Sequence, residues 1–361
     1  MSNLLKSILL VACLTVTTLH HAAAETKHEI EFPNIPGFKT LIWDFHTHTV
    51  FSDGRVWPTV RMEEARREGL DAIAITDHIE YRPFEEYVKG DLNASYKVAE
   101  PTARENNMLL IQGIEITRDT PPGHFNAIFI NDANKIETKK FINAVKAANK
   151  QGGFVFWNHP DWRGLELGSW RDIHQEIYDK KWLHGIEVLN GRFYSPRAHQ
   201  WCLDKGLAML GNSDIHDPSM RHTSQDGDHR ALTLVFAEEL TQDSIQEALM
   251  AARTAAWDQK QIIGRKEHLA PLFDAAITVR PPHYHDEDAR WFDITNRAPF
   301  TFELTRTGEN GPETLTLEAN ASILVEVYGG QHSQPLHFEY TVENLLIAPE
   351  TGLPIEFDLP E

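Results

Sequence analysis

Residues 43–54 read WDFHTHTVFSDG and place two histidines two positions apart, followed by an aspartate. The apolar residues around them favour an extended strand over Leu41–Thr49. Because residues i and i+2 of a strand point to the same face, His46 and His48 can face one cation. Asp53 follows just beyond the strand, where Gly54 indicates a turn.

Short apolar strands alternate with amphipathic helices through most of the chain. Beyond the first strand, strands are predicted at Ala72–His78, Met108–Thr117, His124–Ile130, Phe154–His159, Gly185–Asn190, Ala208–His216 and Arg230–Phe236. The spacing of apolar residues predicts helices between them, for example over Thr138–Gln151 and Ser244–Thr254. Strands that alternate with helices predict an α/β fold with a parallel sheet, and this many strands indicate a closed barrel.

Metal-ligating residue types lie at or just beyond the carboxyl ends of most of the predicted strands. These candidates are His46, His48, Asp53, His78, Glu115, His124, His159, Asp214 and His216. In a β/α barrel the carboxyl ends of the strands converge on one face, where the active site forms. Imidazole and carboxylate ligands without sulfur suit zinc, manganese or iron, whereas structural zinc sites are usually closed and rich in cysteine. The set therefore favours a catalytic site for two or three divalent ions, with Glu115 as a bridge.

The same residues carry a family resemblance. The succession DxHxHTxxSDG, TDH, GxEI, NHP and SDxH, over about residues 40–265, resembles the PHP (polymerase and histidinol phosphatase) metal-dependent phosphoesterases. The resemblance implies a distorted (β/α)7 barrel with a two- or three-metal centre. It implies a first metal held by His46, His48, Glu115 and Asp214, a second by Glu115, His124 and His159, and a third by Asp53, His78 and His216.

The resemblance also implies the reaction, which is hydrolysis of phosphate esters by a hydroxide that bridges two metals. The runs Val56–Val60 and Thr76–Pro83 are similar to an exported branch of phosphodiesterases, so small phosphodiesters are the expected substrates, with phosphonate monoesters as a further class. Asp214 or His216 is the candidate that moves a proton to the leaving group. The candidate cationic clamps follow predicted strands, although a solvated surface arginine is an equally good interpretation of each; they are Arg82, Arg192 and Arg221.

Other residues near the strand ends have supporting roles in this interpretation. Glu187 and Asn190 are expected to form hydrogen bonds rather than to ligate metal, and Asp44 and Asp77 are expected to orient neighbouring imidazoles. Three tryptophans either line the substrate pocket or pack in the core; they are Trp157, Trp162 and Trp170. Cys202 is expected to be a buried apolar residue.

After about Pro271 the pattern changes to short extended segments separated by Gly, Pro and Asn. These segments are Thr301–Arg306, Glu313–Glu318, Ser322–Tyr328, His337–Val342 and Pro354–Leu359, and they predict a small β-sandwich. The predicted domains are a signal peptide at 1–24, a linker at 25–39, a barrel at 40–270 and a sandwich at 271–361. Three roles are possible for the sandwich: it is a dimerisation module that makes the protein a homo-oligomer, a lid over the site, or a binding domain. A second HxH pattern at His283–His285 lies outside the barrel pattern, and we do not expect it to bind metal.

The first residues and the net charge constrain location and partners. Residues 1–24 have the pattern of a secretory signal, with an apolar run from Ser7 to Leu19 that is too short for a membrane span. We therefore expect an exported protein, periplasmic or secreted, with a lipoprotein site at Leu10–Cys13 as the less favoured interpretation. The net charge of −19 argues against a nucleic-acid-binding surface. Two other functions stay open, a phosphomonoesterase of the histidinol-phosphate or nucleotide type and a non-catalytic exported binding protein that contains metal.

Overall fold

The computed structural model describes residues 30–221, 229–282, 284–285, 289–328 and 336–359. The predicted signal peptide and His283 lie outside the described residues, as do the side chains of Arg221 and His285. Within the part of the chain that is described, no helix is both long enough and apolar enough to cross a lipid bilayer.

Nineteen strands and seven α-helices are assigned in the described residues. The strands are β1 (Lys39–Asp44), β2 (Ala72–Ile75), β3 (Leu109–Ile116), β4 (Phe125–Ile128), β5 (Phe154–Trp157), β6 (Gly185–Asn190), β7 (Phe193–Tyr194), β8 (Ala208–Asn212), β9 (Leu232–Ala237), β10 (Thr254–Trp257), β11 (Ile262–Gly264), β12 (Ile277–Val279), β13 (Tyr284–His285), β14 (Ala289–Asn296), β15 (Phe302–Arg306), β16 (Thr314–Leu317), β17 (Ala321–Tyr328), β18 (Leu336–Ala348) and β19 (Thr351–Leu359). The helices are α1 (Pro58–Arg67), α2 (Ala94–Glu105), α3 (Phe141–Lys150), α4 (Asp172–Asp179), α5 (Pro196–Lys205), α6 (Gln242–Met250) and α7 (Lys266–Ala276).

The barrel sheet is mixed rather than parallel throughout. Strands β1, β2 and β3 pair in parallel, as do β5, β6 and β8. Strand β4 is antiparallel to β3 and β5, and β9, β10 and β11 are antiparallel to their neighbours β1, β9 and β10. The expectation of a parallel sheet is therefore wrong at β4 and at β9–β11. For β4 the reason is the short connection of residues 117–124, because a parallel crossover needs about a dozen residues or more.

Strand β8 completes the barrel without a continuous hydrogen-bond ladder to β9 or β10. The Thr233 hydroxyl of β9 donates to the Gly211 carbonyl at 2.7 Å, and the Met209 amide donates to the Thr254 hydroxyl at 3.1 Å. Gly211 permits this close approach, because a β-carbon there would lie 2.6 Å from the Leu232 carbonyl oxygen. Threonine hydroxyls thus replace part of the ladder between β8 and its neighbours β9 and β10.

Several barrel strands end before the candidate ligands that were predicted to lie on them. Strand β1 ends at Asp44 and β8 at Asn212, so His46, His48, Asp214 and His216 lie in the segments that follow. These two segments bind each other directly: the His48 amide donates to the Ile215 carbonyl at 3.1 Å, and the Asp214 amide donates to the His46 carbonyl at 2.9 Å. The ligand positions are therefore set by contacts between loops.

The C-terminal strands form two sheets, and one of them is joined to the barrel. Strands β12, β13 and β17 all pair with β14, while β15, β16, β18 and β19 form the second sheet. Strand β18 also pairs in parallel with β11 of the barrel, at Ile262↔Leu345. The five segments predicted beyond residue 300 contain strands, whereas β14 was missed. Its buried Arg290 and its half-buried Asp293 interrupt the apolar pattern of the sequence.

Candidate metal centre

A cavity of about 1270 Å³ opens at the carboxyl ends of the barrel strands. Six of the nine candidate ligands line it, namely Asp53, His78, His124, His159, Asp214 and His216. The other three, His46, His48 and Glu115, are fully buried and contact members of that set. The structure thus brings all nine predicted ligands together.

The loop after β1 is fixed by Asp77. The Asp77 carboxylate accepts hydrogen bonds from the backbone amide and hydroxyl of Thr49 and from the Ser52 hydroxyl, at 2.7–2.8 Å. Gly54 closes the turn, because a β-carbon there would lie 2.6 Å from the His48 carbonyl carbon. Asp77 is bonded to the imidazole of His48 only through the Ser52 hydroxyl, which lies 3.4 Å from His48 Nδ1; its carboxylate mainly fixes the turn that places Asp53.

Asp44 also contacts backbone and hydroxyl groups rather than a ring. Its carboxylate accepts hydrogen bonds from the Ser213 hydroxyl at 2.5 Å and from the His46 amide at 3.2 Å. It therefore joins the segment after β1 to the segment after β8, and the expected imidazole contact is replaced by this bond between loops.

Glu115, near the end of β3, lies at the centre of the cluster. Its Oε2 atom is 3.2 Å from His46 Nε2, 3.3 Å from His48 Nε2 and 3.1 Å from His78 Nδ1. Its Oε1 atom is 2.7 Å from His124 Nδ1. A carboxylate that faces four imidazoles can bridge neighbouring cations.

Asp214 approaches the same imidazoles from the segment after β8. Its Oδ1 atom lies 3.2 Å from His46 Nε2 and 3.0 Å from His48 Nε2, and its Oδ2 atom lies 3.7 Å from His159 Nε2. Asp214 and His159 have positive φ angles of 54° and 29°, which residues other than glycine rarely adopt. Strained backbone of this kind is concentrated at functional sites.

Asp53 anchors a third group at the edge of the cluster. Its Oδ1 atom lies 3.4 Å from His78 Nε2, 3.2 Å from His216 Nε2 and 3.9 Å from His48 Nδ1. The other ring nitrogen of His216 lies 2.7 Å from the Asp214 backbone carbonyl, so Nδ1 donates there and Nε2 is directed to Asp53. The His216 ring therefore connects the Asp53 carboxylate to the Asp214 backbone.

Four overlapping groups of candidate ligands have donor atoms within 4.8 Å of one another. They are His46–His48–Asp214, His46–Glu115–His159, His78–Glu115–His124 and His48–Asp53–His78–His216. The first group matches the first set implied by the family resemblance, except that it lacks Glu115. The last group matches the implied third set, with His48 in addition. The implied second set, Glu115–His124–His159, is split between two groups.

The charge distribution of the cluster keeps its carboxylates ionised. Burial opposes ionisation of Glu115, but the neighbouring His78, His124 and His46 outweigh it and hold its pKa well below the usual range. Burial likewise opposes ionisation of Asp53, but the nearby rings of His216 and His78 lower its pKa overall. Conversely, burial lowers the pKa of His78, but the charges of Glu115 and Asp53 raise it to about 9.

The donor atoms fit divalent cations. Asp53 Oδ1 and Glu115 Oε1 are buried and accept no hydrogen bond from the described residues, although imidazole nitrogens lie close to each of them. Buried carboxylate oxygens without such bonds are unfavourable unless a cation compensates them. The donors are imidazole and carboxylate alone, which suits zinc, manganese or iron. Cys202 is buried elsewhere, and burial raises the pKa of its thiol to about 12.

Glu187 supports two of the ligands by hydrogen bonds, as expected. Its Oε1 atom is 2.8 Å from His46 Nδ1, and its Oε2 atom accepts from the His159 amide at 2.9 Å. The Asn190 side chain donates to the same carboxylate at 2.9 Å. A carboxylate behind a ligating histidine fixes the ring tautomer and its orientation.

Arg61 is a buried residue that the sequence interpretation missed. Its guanidinium donates to the backbone carbonyls of His48 (2.9 Å), Ile215 (3.3 Å) and Asp217 (3.2 Å). Its charge is paired with Glu64, which also accepts a hydrogen bond from the Ser219 amide at 2.9 Å. Arg61 therefore clamps the two ligand-bearing segments from the side of α1. The sequence signal that could have indicated a buried role was the position of Arg61 beside Met62 and Ala65, on the face of α1 that packs against the core.

The predicted cationic clamps lie in different places. Arg82 lines the main cavity, with its guanidinium 2.6 Å from Glu85 Oε1, and Arg192 lines a second cavity of about 550 Å³. The role of Arg221 stays a prediction, because its side chain is outside the described part of the chain. Three cations of the main cavity were missed; they are Arg118, Lys139 and Arg163. Arg118 and Arg163 follow β3 and β5, so position after a strand was the signal that could have found them.

The three tryptophans differ in their surroundings. Trp157 is buried, with its ring stacked 3.9 Å from the His174 ring. Trp170 packs edge-on against Trp157 and Trp201. Trp162 lines the main cavity, so one of the three lies at the candidate site.

Similarity to known proteins identifies the family. Residues 44–199 match the PHP domain, and residues 277–358 match an Ig-like domain. The crystal structure of a two-domain protein from Bacteroides vulgatus, containing a predicted PHP-like metal-dependent phosphoesterase, is 41% identical, with a TM-score of 0.88. The alignment covers 92% of this chain and 99% of that protein. This chain belongs to the PHP family.

The PHP-family assignment confirms the expected resemblance and the expected fold, a PHP-type α/β barrel followed by a small β-domain of Ig-like type. An uncharacterised protein of Methanocaldococcus jannaschii is 35% identical over 79 residues, which is 22% of this chain. The match spans 35% of the length of that relative.

Proposed function

We propose that this PHP-family chain is a metal-dependent phosphoesterase that hydrolyses small phosphodiesters. One observation carries the proposal: Glu115 and His48 each belong to two neighbouring ligand groups at an open cavity. Shared ligands hold cations close together, and pairs of metals about 3.5–4 Å apart are typical of phosphatases and nucleases.

The ligand groups divide among two or three divalent ions, zinc, manganese or iron. His46, His48 and Asp214 would hold the first. Glu115 would hold the second together with His124 from one of its groups and His159 from the other, as the family resemblance implies. Asp53, His78 and His216 would hold the third. When bound, such ions neutralise charge on phosphoryl oxygens and lower the pKa of water from about 15.7 to about 7.

Of the two candidate proton carriers, Asp214 and His216, the geometry favours Asp214. Asp214 Oδ2 is 3.7 Å from His159 Nε2, which is beyond hydrogen-bond distance, whereas its Oδ1 lies close to two rings. His216 has Nδ1 committed to a backbone carbonyl and Nε2 directed to Asp53. We therefore assign the transfer of a proton from water to the leaving oxygen to Asp214 Oδ2, with His216 in a ligating role.

The shape of the site supports a diester. Asp214 and His216 line both the main cavity and the second cavity, so space is available on two sides of them. A phosphodiester carries two organic groups and can use both spaces, whereas a monoester carries one. Arg82 in the main cavity and Arg192 in the second are the proposed contacts for the two halves of the substrate.

A direct assay tests the proposal. The protein loaded with Mn²⁺ or Zn²⁺ is expected to hydrolyse bis(p-nitrophenyl) phosphate faster than p-nitrophenyl phosphate. Glu115→Gln is the inactive control, and Phe193→Ala, at an exposed residue that lines neither cavity, is the active one. Turnover of neither ester by metal-loaded protein would contradict the phosphoesterase function. A preference for the monoester would favour the phosphomonoesterase alternative.

Export and homo-oligomerisation remain proposals. Export is supported by the pattern of residues 1–24 alone. A fusion of residues 1–24 to a periplasmic reporter enzyme is expected to export the reporter, and cytoplasmic retention would contradict it. Light scattering of the purified protein tests the homo-oligomer.

A further inference from the structure

We propose that Trp162 forms an aryl-binding subsite beside the metal centre, so that the preferred phosphate ester carries a flat aromatic group. The inference rests on the proposed phosphoesterase function and adds the chemical class of one ester group. The sequence alone left open whether Trp162 lines the substrate pocket or packs in the core.

Trp162 presents a large apolar surface to the main cavity next to the ligands. Its side chain is 58% exposed, and its ring centroid lies 5.4 Å from that of His124 and 5.7 Å from that of His159. Leu167, which is 43% exposed, lines the same cavity. Ligand pockets are lined mainly by apolar and aromatic side chains, with a few polar groups that fix the orientation of the ligand. A group on a phosphoryl oxygen at the His124–His159 side of the centre would reach the indole.

The exposure of Trp162 is built into the fold, because the turn that carries it is anchored. The Trp162 amide donates to the His159 carbonyl at 3.0 Å. The neighbouring Asp161 accepts hydrogen bonds from the Ser195 hydroxyl and from Arg197 Nε, both at 2.5 Å. Arg197 also donates to the Leu165 carbonyl. Helix α5 and the residue before it therefore hold the turn, so the indole is preorganised for a ligand.

A flat ring fits this subsite better than an aliphatic chain. The Arg163 guanidinium lies 4.2 Å from the centroid of the Trp162 ring, so one face of the indole is covered. Aromatic groups prefer offset-stacked or edge-to-face contact with an indole and gain attraction beyond the burial of area. Tyr81 is also exposed in this cavity, but its ring centroid is 6.0 Å from that of one ligand, His78. Trp162 touches two ligand rings and is the closer platform.

Binding of phosphonates, which need no turnover, tests the subsite. Calorimetry on the Mn²⁺-loaded protein would compare 1-naphthylphosphonate with methylphosphonate. The wild-type protein is expected to bind the naphthyl compound at least about tenfold more tightly, from aromatic contact and area burial. Trp162→Leu is expected to bring the two affinities close together, and Trp162→Phe is expected to retain part of the preference. Tyr87→Ala is the matched control, because Tyr87 is 80% exposed and lines neither cavity.

The other outcomes contradict either the subsite alone or the subsite together with the proposed function. A naphthyl preference that persists in Trp162→Leu, or that is absent from the wild type, would overturn the subsite and leave the phosphoesterase function standing. If Trp162→Leu no longer binds methylphosphonate, Trp162 is needed for the structure of the metal centre. That result would also overturn the subsite. If metal-loaded wild type binds neither phosphonate and hydrolyses no ester, the proposed function fails, and the subsite fails with it.

Discussion

Strand β14 of the Ig-like domain and the loop after β1 both bury most of their residues, but they do so in different ways. From Arg290 to Asn296 in β14, buried residues alternate with half-buried ones, and Phe292 and Ile294 supply an apolar face. In the loop after β1, residues 45–49 are all fully buried, and four of the five are histidine or threonine. Alternation needs only a sheet with one covered face. Contiguous burial of polar residues needs partners for each of them.

Those partners come from distant parts of the chain. His46 contacts Glu115, 69 positions later, and Glu187, 141 positions later. The metal-centre end of the barrel therefore depends on long-range polar contacts, while the Ig-like domain depends on a local pattern and an apolar core. Substitutions in the two regions should consequently separate activity from stability.

The largest loss of activity is expected for Glu115→Gln, because one substitution alters two ligand groups. The loss should exceed the roughly 10–100-fold that follows removal of an outer hydrogen-bonding partner of a ligand. Glu187→Gln is the matched variant for that smaller effect, since Glu187 contacts His46 from behind. Metal content by mass spectrometry and kcat/KM measure the difference. Equal losses in the two variants would show that Glu115 is not shared between metals.

Arg61→Met is expected to lower both stability and metal affinity, because the side chain clamps two ligand segments and pairs with the buried Glu64. Removing one partner of a buried ion pair lowers the free energy of unfolding by about 3–5 kcal/mol. Denaturant unfolding and metal titration of the folded fraction measure the two effects. Arg66→Met, on the same helix with a partly exposed pair to Glu63, should change stability by at most about 1 kcal/mol. A folded Arg61→Met protein with unchanged metal affinity would refute the clamp.

Asp53→Ala is expected to weaken one metal position selectively, because Asp53 belongs to one of the four ligand groups. His46→Ala, which alters two groups, should lose metal and activity together. Metal stoichiometry at increasing Mn²⁺ concentration distinguishes the two variants. Identical stoichiometries would contradict a separate third position.

The smallest effect on activity is expected in the Ig-like domain. Phe302→Ala removes a fully buried ring that packs edge-on against Phe273, with 5.1 Å between the ring centroids. The free energy of unfolding should therefore fall by about 3–5 kcal/mol. The kcat of the folded protein should not change, because no residue beyond His216 lines the main cavity within the described chain. Glu303→Ala, at the exposed next position, should change neither quantity. A kcat loss in Phe302→Ala would mean that the Ig-like domain supports the active site.

Part of the site could be predicted because strand ends can be located in a sequence. His159 and Glu115 were placed near the ends of strands, and barrel geometry brings such ends together. The direction of β4 and the roles of Asp77 and Arg61 could not be predicted in this way. They depend on the hydrogen bonds that a side chain finds after folding, and those partners leave no periodic signal.

The sequence by itself determined nine candidate ligands, their donor chemistry and the five strand-forming segments beyond residue 300. These follow from residue type and from periodicity, which are local properties. The tertiary structure decided how the ligands are shared among groups, that the Asp77 carboxylate fixes a turn, and that Trp162 rather than Trp157 faces the cavity. The physical reason is that distances between residues far apart in the chain are set by packing and by contacts between loops, neither of which a local pattern specifies.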